Sequence, residues 1–211
     1  MAWMEDERSA LVATARDTDP EAPTLCEGWT TRHLLAHLVE REHQPWFVAV
    51  DLVSNRPPGE ERFMRRLVDD AAGADGYRAL VDRFAGGPPA WSPIGLAGDR
   101  MNLVEYVVHH EDIRRAGPAP APPRDLPPKM ASAIRRHLAA AARLPLRKSP
   151  VGVVLDAPGH GPVQPRKGEP TVTVSGAPVE LLLWVFGRRD VADVELQGPP
   201  DAVERLRTWA T

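Results

Sequence analysis

The chain has 211 residues and a formal net charge of −3. That is enough for one large domain or two small ones, without the cationic excess of a nucleic-acid binder. Its single cysteine, Cys26, excludes an internal disulfide framework. The longest apolar run, Leu181–Phe186, is far too short to span a membrane, and the acidic opening MAWMEDERSA lacks the basic and apolar regions of a secretory signal. A soluble cytoplasmic protein is expected, with neither nucleic acid nor membrane as a partner.

Residues 3–17 set Trp3, Leu11, Val12 and Ala15 among acids and arginines, which predicts an exposed amphipathic helix. Residues 18–28 form a turn region. Thr30 then caps a second helix, TTRHLLAHLVEREH, because its hydroxyl can accept from free first-turn N–H groups. Pro45 should kink or interrupt that helix, which is expected to resume through Trp46–Leu52 before a break at Asn55–Gly59. Residues 60–70 and 75–85 read as helices, with Phe63, Leu67, Leu80, Val81 and Phe84 as core candidates, and 86–93 as a loop. A last helix runs from about Arg100 to Ala116.

Six of the twelve residues 117–128 are proline, so this stretch is extended and marks a linker. The expected organisation is a helical domain over 1–117, a linker over 118–128 and a small α+β domain over 129–211. In the second half, 129–143 reads as an alanine-rich helix. Val151–Leu155, Thr171–Val174 and Val191–Leu196 read as strands. Val179–Phe186 reads as a buried helix closed by Gly187, and Asp201–Trp209 as a closing helix.

The chemistry concentrates on the helix NLVEYVVHHEDIRRA. With Glu105 at zero, His109 lies about 40° to one side and Asp112 about 20° to the other. The three share one mostly apolar face, while His110, Glu111 and Arg114 lie opposite. A carboxylate beside an imidazole on such a face needs charge compensation, which a divalent cation supplies. A buried Glu–His hydrogen bond is the alternative. The second helix offers His33 and His37; His33 falls in the first turn, and His37 sits among Leu34, Leu35 and Leu38. His37 is either a third ligand or a core histidine bonded to a carbonyl. Two His and one Glu would leave an open coordination position, as catalytic centres do. Asp112 either accepts from the far nitrogen of a ligand histidine or pairs at the surface with Arg115. His43, His137 and His160 read as exposed, and Cys26 as a loop cysteine packed near Trp29.

The stretch LCEGWTTRHLLAHL resembles the opening of the second helix in the mycothiol-dependent maleylpyruvate isomerase family and its DinB-like relatives, where a tryptophan precedes a ligand histidine by eight positions, as Trp29 precedes His37. VEYVVHHEDIRRA resembles the fourth-helix segment of that family. The resemblance implies that His37, Glu105 and His109 bind Zn2+ or another divalent metal, with Asp112 as the acidic position that follows. It implies an α+β chain: an N-terminal DinB-like four-helix bundle followed by a small C-terminal α/β domain. TVTVSGAPVELLLWVFGRRDVADVELQG is similar to that C-terminal part, and the resemblance makes Arg188 the candidate active-site arginine; a surface arginine after a helix cap is the alternative. His110 and Glu111 depart from the family, which often has a small residue and then tryptophan there. The implied function is a mycothiol-dependent, or more broadly thiol-dependent, isomerase or S-transferase acting on a small electrophile, as a monomer or homodimer. A non-catalytic metal- or ligand-binding module and a metal-dependent hydrolase are the alternatives.

Overall fold

The computed structural model describes residues 3–44, 62–89, 92, 95, 98–117 and 120–209. The kink at Pro45, the helix through Trp46–Leu52 and the break at Asn55–Gly59 lie outside the described residues. The chain divides into two compact units, Met1–Ala121 and Pro122–Thr211, so the division falls inside the proline-rich segment.

The first unit is a helical bundle. Its described helices are α1 (Trp3–Asp17), α2 (Thr31–His43), α3 (Arg62–Asp70), α4 (Ala74–Ala85) and α5 (Asp99–Arg114). Helix α1 packs on α4 and α5, and α2 packs on α3 and α4. Leu11, Leu34, Leu35, Leu38, Met64, Phe84 and Tyr106 are almost fully buried between them. Each such aliphatic or aromatic side chain contributes roughly 1.5–3 kcal/mol of apolar transfer.

Helix α1 is not the exposed helix its composition suggests. Its Met4, Leu11, Val12 and Ala15 are buried, and so are Glu7 and Arg8. The reason is the pairing of these charges. Arg8 donates through Nη1 to Glu42 Oε2 at 2.8 Å and to the Phe84 carbonyl at 3.0 Å, and through Nη2 to the Tyr106 hydroxyl at 2.6 Å. Its guanidinium also lies over the Phe84 and Tyr106 rings. Tyr106 in turn donates to Glu42 Oε1. On the neighbouring turn, His110 Nδ1 lies 2.8 Å from Glu7 Oε1, and Thr14 Oγ1 lies 2.8 Å from His110 Nε2. The face of α5 opposite Glu105 is therefore covered by α1, and His110 and Glu111 are buried. Glu111 is held within its own helix by Arg114 at 2.8 Å and Arg115 at 2.5 Å.

The second unit contains α6 (Pro128–Arg143), a 3-10 turn (Pro145–Lys148), β1 (Gly152–Ala157), β2 (Gly161–Arg166), β3 (Thr171–Gly176), α7 (Pro178–Val185), β4 (Val194–Gln197) and α8 (Pro200–Thr208). The sheet order is β2-β1-β3-β4. β1 and β3 are parallel, and the other two pairings are antiparallel. Val153, Leu155, Val172 and Val174 are buried on the sheet, and all of α7 is buried. Strand β2 was not legible in the sequence, because GPVQPR contains Pro162 and Pro165. It is an edge strand, where a residue without an N–H is tolerated. His43, His137 and His160 are half-buried rather than exposed. Among the described residues, no helix is long and apolar enough to cross a membrane.

Candidate metal centre

Thr30 is the N-cap residue of helix α2. The Thr30 backbone N–H donates to His33 Nδ1 at 3.4 Å, and the Thr30 hydroxyl lies 2.8 Å from the same nitrogen. His33 is thus spent on closing the first turn, which orphan N–H groups require. One turn later the apolar side chains Leu34, Leu35 and Leu38 face the core, and His37 is carried to the edge of the interface with α5.

The meeting point is Glu105 Oε1. His37 Nε2 lies 3.3 Å from it and His109 Nε2 lies 3.2 Å from it. The donor atoms of His37, Glu105 and His109 all lie within 4.8 Å of one another. The Nε2-to-oxygen separations are close to the edge of a tetrahedron with bonds of about 2.0–2.1 Å, which is about 3.3–3.4 Å, so the donor set fits a small divalent ion. The two imidazoles meet edge to face at 5.3 Å, and the Trp29 ring lies 5.2 Å from His37.

Behind His109 stands Asp112. Its Oδ2 lies 2.8 Å from His109 Nδ1, and its side chain is completely buried. It is not in a surface pair with Arg115. An acceptor at Nδ1 fixes the tautomer and leaves the Nε2 lone pair for a metal. Cys26 completes the arrangement: its thiol donates to the same Asp112 oxygen at 3.2 Å, while the Leu25 N–H donates to the Asp112 carbonyl at 3.0 Å. Cys26 also forms a second close group with His109 and Asp112. Reading Cys26 as only a packed loop residue missed this. The contact joins positions 86 apart, so no local pattern could reveal it.

Burial opposes charge on Glu105, but the hydrogen bonds from His109 and His37, with the charges of His109 and Arg41, overcome it and hold the carboxyl well below its usual range. Burial likewise opposes charge on His109. The hydrogen bonds to Asp112, Cys26 and Glu105, with the Glu105 charge, outweigh it and raise the imidazole well above its ordinary value. Without metal the cluster is therefore a charged pair. Arg188 belongs to the second unit, where it follows Gly187 and donates to the Phe186 carbonyl at 2.6 Å.

Residues 4–87 match the family model for the mycothiol maleylpyruvate isomerase N-terminal domain. The matched stretch covers less than half of the chain. It includes Cys26, Trp29 and His37 and stops short of α5. Two solved structures share the fold across both units. A histidine-to-alanine mutant of the mycothiol-dependent maleylpyruvate isomerase aligns with a TM-score of 0.59 at 17% identity, covering 92% of this chain and 90% of that one. The unmutated enzyme aligns with a TM-score of 0.58 at 18% identity, with the same coverage. The α+β architecture, a helical bundle followed by a small α/β unit, is thus that of the isomerase. No curated protein matches the chain significantly.

Proposed function

We propose that His37, Glu105 and His109 hold one divalent ion, zinc in the first instance, in a thiol-dependent isomerase or S-transferase that acts on a small electrophile with mycothiol as cosubstrate. The observation that carries this reading is the convergence of two Nε2 atoms on one carboxylate oxygen, with buried Asp112 behind His109. The domain match and the fold shared with the isomerase support it. A bound divalent ion lowers the pKa of a coordinated thiol and keeps thiolate available at neutral pH. Three protein donors leave a position for that thiol. Asp112 keeps the His109 ring aimed, and Trp29 restrains His37. Arg188, in the second unit, is proposed to bind a carboxylate, to which its planar fork is suited. The proposal places the protein in the cytoplasm, as a monomer or homodimer.

The test substitutes cobalt for the native ion and adds mycothiol. A sulfur-to-cobalt absorption band, with thiol-dependent turnover of maleylpyruvate, is the expected outcome. Cobalt binding without a band would leave a metal-binding module, and turnover of an ester with no thiol present would favour a hydrolase.

Asp112 provides a finer check. Replacing it with Asn is expected to weaken metal binding by about 10–100-fold, because the ring loses its anionic acceptor. Chelator competition measures this, and an unchanged affinity would detach Asp112 from the centre. Cys26→Ala is expected to act in the same direction but more weakly, with Cys26→Ser, which retains a donor, close to the parent protein.

A further inference from the structure

Arg41 stands one turn beyond His37 on the same face of α2. Its Nε lies 3.8 Å from Glu105 Oε1, the oxygen that both histidines approach. Its Nη1 donates to Asn102 Oδ1 at 2.9 Å. Asn102 is completely buried on α5, one turn before Glu105. The guanidinium is therefore held in place from below, with 13% of its side chain exposed, against 30% for Glu105.

That is an unexpected neighbour for a cation site. Glu105 is the only carboxylate in the proposed ligand set, so it answers just one of the two charges of a divalent ion. Arg41 adds a further positive charge beside it. Among the described residues, Glu42 feels the charge of Arg41 but is engaged by Arg8 and Tyr106, and Asp112 bonds the other ring nitrogen of His109. A guanidinium in that position disfavours the bare ion and disfavours an ion carrying a neutral co-ligand. It favours the ion with an anion at its remaining position, because like charges repel by an amount that an added negative charge cancels.

We propose that Arg41 is an electrostatic selector: it makes metal binding and anion binding at this centre mutually reinforcing, so that the centre takes an anionic co-ligand in preference to a neutral one. The inference rests on the metal reading above. It extends that reading by assigning a role to a residue outside the ligand set. Coupling of this kind is reciprocal: if the anion tightens the metal, the metal tightens the anion by the same factor.

The test titrates zinc into the full-length protein by chelator competition at fixed pH, for the parent protein, Arg41→Gln and Arg41→Lys. Each is measured alone, with azide as a small anion and with imidazole as a neutral ligand. Arg41→Gln is expected to bind zinc alone about tenfold more tightly than the parent. The strengthening of zinc binding by azide should fall by about the same factor, while the effect of imidazole stays within about twofold. Arg41→Lys retains the charge and should track the parent protein, which separates the charge from the fit of the planar group to Asn102. Equal or weaker zinc binding by Arg41→Gln, or azide coupling that survives the substitution, would overturn the selector role while leaving the metal site standing. Failure of the parent protein itself to bind zinc would overturn the metal reading and this inference together.

Discussion

Glu42→Ala is expected to destabilise the helical bundle by about 3–5 kcal/mol, because it leaves the Arg8 guanidinium buried and without its carboxylate. Arg8 and Glu42 are 7% and 0% exposed in their side chains, so water cannot take the place of the lost partner. Three helices meet at this pair: α1 supplies Arg8, α2 supplies Glu42, and α5 supplies Tyr106, which bonds both. Burial pushes the Glu42 carboxyl up, against the charge and hydrogen bond of Arg8 and the hydrogen bond of Tyr106, so the pair is held at a desolvation cost. The double variant Arg8→Met with Glu42→Leu is therefore expected to recover most of the loss, since no charge remains to be solvated. Urea unfolding of both variants beside the parent protein measures this. A loss below about 1 kcal/mol for Glu42→Ala would show that the bundle rearranges to hydrate Arg8.

The second large effect is a reversal of pH dependence when metal binds. In the metal-free protein, His109 is raised above its ordinary value of 6.5 and Glu105 lowered below its ordinary 4.5. A raised imidazole contributes stability that is complete below 6.5 and is lost as pH rises through its folded value. A lowered carboxyl contributes stability that is complete above 4.5 and is lost as pH falls through its folded value. The pair thus stabilises the metal-free bundle fully only between about pH 4.5 and 6.5. Metal binding requires the Nε2 lone pair, so the ion must displace the His109 proton. Zinc affinity is expected to rise about tenfold per pH unit until the folded value of His109 is passed. The melting temperature gained on adding zinc should widen accordingly from pH 5.5 to 7.5. A gain that is flat across that range would mean that His109 carries no proton for the ion to displace.

How much of this could be read from residues alone differs by element. Glu105, His109 and Asp112 were placed on one face by helical spacing, and the structure puts all three side by side. The stripe is local, and one helix suffices to define it. His37 required a partner helix, which spacing cannot supply; the resemblance of LCEGWTTRHLLAHL supplied it. The charged residues of α1 were misjudged. Composition assigns Glu7 and Arg8 to solvent, but each finds a partner on a distant helix, His110 or Glu42, and a charge so paired can be buried. The same blindness hid Cys26, whose partner lies on α5. Arg41 was within reach, since it follows His37 by one turn, but its weight comes from standing beside Glu105. In the second unit the β-branched TVTV stretch was readable as a strand, while β2 was hidden by its prolines and stands only because β1 supplies its ladder on one side.

The measurement that bears most directly on the metal centre is the metal content of the purified protein by mass spectrometry, beside His37→Ala, Glu105→Ala and His109→Ala variants shown to be folded. The proposed ligand set predicts near-stoichiometric divalent metal in the parent protein and its loss in all three variants. A parent protein that stays metal-free after reconstitution with zinc would contradict it, and would leave Glu105 and His109 as a hydrogen-bonded ion pair one turn apart on α5.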